Sequence, residues 1–243
     1  MKIPFLQRFY RGVARHTAHH VAQKDAFDLR HVLQRRAAED SAGYIETHAM
    51  GARSLDGADA VLTDSVERAL GVTGCFCEFG VYQGRTLKRI AALAPARALH
   101  GFDSFEGLPE DWRDGFKQGA FQTDAPKIGA RNVQLHTGWF DATVPPFSAN
   151  LPEPIAFAHI DCDLYSSTKT VLDSITQHLV IGSVLLFDEY FNYPGWRQHE
   201  HRALQETVGR GELSVETISY NAQGEQLAVV VTGGSKIATT HQP

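Results

Sequence analysis

The sequence predicts an α/β fold: a seven-stranded, mostly parallel sheet with helices on both faces, an antiparallel last strand and an N-terminal helical extension. Three observations predict it. From Val72 onward, short apolar runs alternate with stretches of helical periodicity. Four of the first five runs end in an acidic or glycine-rich turn, where a parallel strand passes into a helix. The last two runs are joined by the hairpin-length segment NAQGE, centred on Gly224, and a hairpin requires antiparallel pairing.

Residues 25–70 read as helices and loops, with Asp64 to Leu70 a short helix leading into the first strand. The strand runs are VTGCFCEFG ending at Gly80, ALHGFD ending at Asp103, VQLHT ending at Thr137, IAFAHID ending at Asp161 and GSVLLFDE ending at Glu189. LSVETISY and QLAVVVT follow. Helices are expected over Gly84 to Leu93, Ser166 to Leu179 and Trp196 to Val208. In the second, Val171, Leu172, Ile175 and Leu179 form an apolar stripe and Ser166 or Ser167 is placed to cap the N-terminus. The expected organisation is an extension over 1–70, a main domain over 71–235 and a tail over 236–243.

With 243 residues and 43% hydrophobic content, the chain is long enough for one well-buried domain. A net charge of -5 and a pI near 6.2 provide no global positive field, so nucleic acid is not expected as a main partner. Cys75, Cys77 and Cys162 sit in apolar runs. The C-x-C pair points to one face of a strand without a second pair to complete a zinc site, so core packing in a reducing cytoplasm is expected. No window approaches the roughly 20 apolar residues of a membrane span. Phe5, Leu6, Phe9, Tyr10 and Val13 fall at helical spacing beside Lys2, Arg8, Arg11 and Arg15, which permits a helix resting on an anionic membrane, although one packed on its own domain or on a second copy is the plainer expectation.

The first chemical motif is Glu78-Phe79-Gly80-Val81-Tyr82-Gln83-Gly84 at a strand-to-helix turn. Glycine lets the backbone turn sharply and approach a ligand at the carboxyl ends of the strands. Glu78 holds the place of the first glycine of G-x-G-x-x-G; a carboxylate there repels a pyrophosphate and suits a cofactor with a cationic group. Asp103 lies 19 residues beyond Gly84, close to the roughly 20-residue interval at which an acid meets ribose hydroxyls. Asp161, Asp163, Asp188 and Glu189 cluster at later strand ends. Crowded carboxylates call for a cation or a shared proton, and Mg²⁺ with oxygen ligands would bind a substrate hydroxyl and lower its pKa. The alternative has Asp161 contacting cofactor or acceptor directly, Asp163 capping the next helix and Glu189 pairing with a base.

His199 and His201 follow the fifth strand, where a base could stand, but a solvated helix face is the plainer expectation for both. Tyr82, Trp139, Tyr165, Tyr190 and Trp196 are candidate walls of an acceptor pocket, several of them core. Gly107 to Asp124 is long and glycine-rich, which fits a loop over the site, either mobile or an ordered surface loop.

The strings EFGVYQGRT, GFDSFEGLP, GWFDATVP, HIDCDLYSST and FDEYFNYPGW, in order from about Val72 to Ala203, resemble the macrocin O-methyltransferase family, which includes the mycinamicin and novobiocin sugar O-methyltransferases. A parallel sheet closed by an antiparallel strand is also the layout of class I methyltransferases. The resemblance implies methyl transfer from S-adenosylmethionine to a hydroxyl of a small molecule, with Mg²⁺ held by Asp161, Asp188 and Glu189 and with Asp161 as general base. Glu189 stands where that family usually has Asp. The resemblance further implies cofactor contacts at Glu78, Gly80, Gly84, Asp103, Ser104 and Asp161, with Gly138 and Trp139 near the adenine. Arg85 and Thr86, opening the helix after the glycines, are counted with them, although the Arg85 position is often small in the family. A small hydroxylated acceptor is the expected partner, and self-association is compatible with the N-terminal segment.

Overall fold

The computed structural model describes residues 27–237. The expected helix around Phe5 to Val13 and the end of the tail lie outside them. In chain order the elements are α1 (Leu29–His48), β1 (Arg53–Leu55), α2 (Ala58–Ala69), β2 (Cys75–Phe79), α3 (Arg85–Leu93), β3 (Leu99–Asp103), β4 (Val133–Thr137) and α4 (Phe140–Ala149). Then come β5 (Ile155–Ile160), α5 (Tyr165–Ile175), β6 (Leu179–Phe187), a 3₁₀ turn (Trp196–Gln198), α6 (Glu200–Gly209), β7 (Ser214–Asn221) and β8 (Leu227–Gly233).

The eight strands run in the order β1-β7-β8-β6-β5-β2-β3-β4. β8 is antiparallel to both neighbours, and every other pairing is parallel. The sheet therefore has one strand more than the seven expected: Arg53–Leu55 adds an edge beside β7. Three residues are too short to show strand periodicity, and only the partner strand makes them one. α2 packs over β5, β6, β7 and β8, and starts six residues before the predicted helix.

β2 and β5 are buried at every position, as strands covered on both faces must be. One core layer joins Phe79, Phe102, Ile160, Leu172 and Phe187; the other joins Val61, Val66, Phe76, Phe157 and Leu186. Cys75, Cys77 and Cys162 are free and buried in this core. α4 carries Pro145 and Pro146 inside it, which hid it from a periodicity reading. α5 begins at Tyr165 without a side-chain cap, so the capping role expected of Ser166 or Ser167 is not taken; Ser166 Oγ instead donates to Glu110 Oε1 at 2.6 Å. Among the described residues no helix is long and apolar enough to cross a membrane.

Candidate active site

A cleft of about 570 Å³ opens at the carboxyl ends of β2, β3, β5 and β6, within the usual size range of small-molecule sites. Strand order reverses direction between β2 and β5, where open α/β sheets place their ligands.

Gly80 follows β2 at φ +100, and a Cβ there would lie 1.8 Å from the carbonyl oxygen of Asp161. The missing side chain thus lets the turn after β2 meet the turn after β5, closing the floor of the cleft. Gly84, at φ +74, leaves room for Ile128 and Pro126. Asp103 reaches back from the end of β3: Oδ2 accepts the N–H groups of Val81 and Tyr82 at 2.8 and 2.7 Å, and Oδ1 that of Phe105 at 2.7 Å. It shapes the glycine turn and still lines the cleft beside Ser104. Gly138 N–H donates to the Asp103 carbonyl, which brings Trp139 to the cleft wall.

The acids converge differently from the sequence expectation. Carboxylate oxygens of Asp161, Asp163 and Glu189 all lie within 4.8 Å of one another. Asp188 lines the same cleft, but its Oδ1 lies 3.5 Å from Nε2 of His159. Burial pushes the Asp161 and Glu189 carboxyls well up, and the nearby Asp188 charge adds to this. Burial holds Asp163 near about 7 although Arg113 opposes the shift, and Asp163 adopts φ +60, strained backbone of the kind that collects at functional sites. Glu189 Oε2 is buried with no hydrogen-bond partner among the described residues. Three carboxylates so placed, one of which also carries an orphaned buried oxygen, suit a hard divalent cation.

Glu78 lies beneath the cleft rather than in it. It is fully buried, and its Oε1 is 3.0 Å from Nδ1 of His159. Arg85 is exposed and Thr86 half-buried on α3, and neither lines the cleft.

The loop from Gly107 to Asp124 forms the outer wall. Leu108 and Ala120 are joined by a backbone hydrogen bond of 2.8 Å, and Leu108 and Gly119 by another of 2.9 Å. Arg113 stacks on Trp112 and Tyr193 at 3.9 and 4.4 Å and pairs with Glu225 at 2.9 Å. Tyr82, Trp112, Phe116 and Phe121 face the cleft from this side. Of the other aromatic candidates, Tyr190 and Trp196 are core, and Tyr165 donates its hydroxyl to Glu206. His201 is buried against Tyr44, Tyr190 and Trp196 and His199 packs on Trp112 and Tyr193, so neither sits on a solvated face. Sequence reasoning missed His159 and Glu200, the fully buried first residue of α6. Strand alternation from Ile160 offered a signal for His159; for Glu200 there was none.

A model of a methyltransferase-domain family matches residues 77–190. Demethyldecarbamoylnovobiocin O-methyltransferase of Streptomyces niveus is 24% identical over 185 residues, 65% of this chain and 68% of the relative. The 8-demethyl-8-(2,3-dimethoxy-alpha-L-rhamnosyl)-tetracenomycin-C 4'-O-methyltransferase of Streptomyces olivaceus is 26% identical over 144 residues, 49% of this chain; the match spans 54% of that relative. A calicheamicin methyltransferase superposes with a TM-score of 0.60 at 28% identity, over 71% of this chain and 77% of the other. A second structure of that enzyme, described as TDP-rhamnose 3'-O-methyltransferase, gives 0.54 at 26% over 71% and 78%. Sheet order, cleft and motifs agree with these matches: residues 77–190 form a methyltransferase domain, and the chain is similar to the sugar O-methyltransferases named above, whose class I fold it shares.

Proposed function

We propose that the chain methylates a hydroxyl of a sugar or natural-product glycoside, with Mg²⁺ held among Asp161, Asp163 and Glu189. The observation that carries this reading is the convergence of three carboxylates within 4.8 Å on a cleft floor shared with the Gly80 turn. The names of two relatives, one acting on a rhamnosyl group and one on TDP-rhamnose, support a sugar acceptor.

When bound, S-adenosylmethionine supplies the methyl group and Mg²⁺ a positive charge that lowers the pKa of the acceptor hydroxyl. The chain's own residues orient and deprotonate. Gly80, Asp103, Ser104 and Trp139 border the cofactor side of the cleft. Asp161 and Asp163 open on the same space and Asp161 accepts the hydroxyl proton, while Asp188, held by His159, closes the floor. The aromatic wall of Tyr82, Trp112, Phe116 and Phe121 excludes water and stacks on the acceptor, so that positioning supplies much of the rate. Residues 71–235 are the proposed catalytic domain. Among the described residues none of 27–70 lines the cleft; α1 instead braces the turn after Glu189, and residues 1–70 are the proposed site of association between copies.

The test is a methyl-transfer assay on a panel of rhamnosides, nucleotide-linked rhamnose and aromatic glycosides, with and without EDTA. S-adenosylmethionine should also raise the melting temperature, since it binds only the folded state. No thermal shift at millimolar cofactor would sink the methyl-transfer reading, and full activity in EDTA would remove the metal.

A further inference from the structure

Glu200 opens α6, away from the strand ends that carry the acids, yet it is buried completely among them. Its Oε1 accepts the N–H of Cys162 at 3.2 Å and its Oε2 the N–H of Glu189 at 3.1 Å. Cys162 stands between Asp161 and Asp163. One side chain therefore ties the turn after β5 to the turn after β6, and these two turns carry all three converging carboxylates.

A buried carboxylate beside other acids is costly, and where only packing is needed an apolar residue of similar volume does at least as well. What a carboxylate offers here is two acceptors a fixed distance apart, each meeting one backbone donor. The far side of the second turn is held as well: Ser41 Oγ accepts the N–H of Asn192 at 2.8 Å, and Gln34 donates to the Asn192 carbonyl at 2.6 Å. The Glu189 turn is thus fixed from α1 on one side and from α6 on the other.

We propose that Glu200 is a positioning residue that sets the separation between the Asp161–Asp163 turn and Glu189, and so the shape of the three-carboxylate site. Its kinetic consequence rests on the reading of this cleft as the methyl-transfer site; the structural bridge does not.

Glu200→Gln keeps the size of the side chain but replaces one acceptor with a donor and leaves the other a weaker, neutral acceptor, so one turn is released and the other is held more loosely. The folded variant should bind S-adenosylhomocysteine as the parent does by calorimetry, because the glycine turn and Asp103 are untouched. On an acceptor from the panel, kcat should fall by about a hundredfold while KM for S-adenosylmethionine stays put, as expected for reacting groups displaced by a fraction of an ångström to an ångström. The amide proton resonances of Cys162 and Glu189 should move upfield. Glu200→Asp, with both acceptors on a shorter arm, should show the same split and replaces the glutamine variant if that one does not fold. A kcat unchanged in the folded variant, or cofactor affinity lost in step with kcat, overturns the proposal. If the parent methylates no acceptor, the proposed function falls while the bridge is decided by the amide resonances: movement at Cys162 and Glu189 upholds it, and no movement refutes it.

Discussion

His159 lies between two acids of neighbouring strands: Nδ1 is 3.0 Å from Glu78 Oε1 and Nε2 is 3.5 Å from Asp188 Oδ1. Both ring nitrogens face a carboxylate, which draws the imidazole toward its charged form against the cost of burial. The same contact holds the Asp188 carboxyl below the usual carboxylate range, against the burial that would raise it. His159→Leu leaves Glu78 and Asp188 without their partner and should destabilise the fold by about 3–5 kcal/mol in urea. Adding Glu78→Gln should recover part of that loss; a double variant less stable than the single one would refute the pairing.

The crowded acids should trade stability for function. Burial raises the folded pKa of Glu189 above its ordinary value of 4.5. The unfolded chain therefore releases its proton first as pH rises, and stability is lost above about 4.5 until the folded group also ionises. In EDTA at pH 8, Glu189→Gln should melt higher than the parent; with Mg²⁺ supplied, its methyl transfer should fall below the parent's by about 10²–10⁴-fold, the range for a lost proton-handling or charge-stabilising group. A lower melting temperature with activity intact would count against this reading of Glu189.

Acid should act through His201. Burial holds its pKa down at about 4, from 6.5. Between those values the unfolded chain binds a proton that the folded site refuses, so this contribution is complete above 6.5 and is lost as pH falls toward 4. The loss of melting temperature from pH 7 to pH 5 should be smaller in His201→Gln than in the parent. Equal losses would show that His201 does not titrate with unfolding.

Gly80→Ala places a methyl group against the Asp161 carbonyl in a backbone region that suits glycine. We expect a loss of about 3 kcal/mol or more, with cofactor binding impaired even where the variant folds. Chemical denaturation and calorimetric titration with S-adenosylhomocysteine check both parts; an unchanged midpoint would mean the two turns do not meet as described.

The order of strands and helices was legible in the sequence because local rules govern it: a period of 2 or 3.6, a glycine at a turn, a hairpin too short for a crossover. The same rules set Asp103, Asp161 and Asp188 at strand ends, and parallel strands bring such ends to one edge. What local rules do not contain is register. Glu78 meets His159 across 81 residues because β2 and β5 pair in that alignment, and the pairing takes the carboxylate under the cleft. His159 then draws Asp188 aside, and Asp163 joins Asp161 and Glu189 through a turn with φ +60 that nothing in HIDCDLY announces. Glu200 reaches both acidic turns only because α6 packs against α5. The sequence by itself determined which acids gather at the sheet edge; long-range hydrogen bonds between strands and helix packing decided which of them face one another.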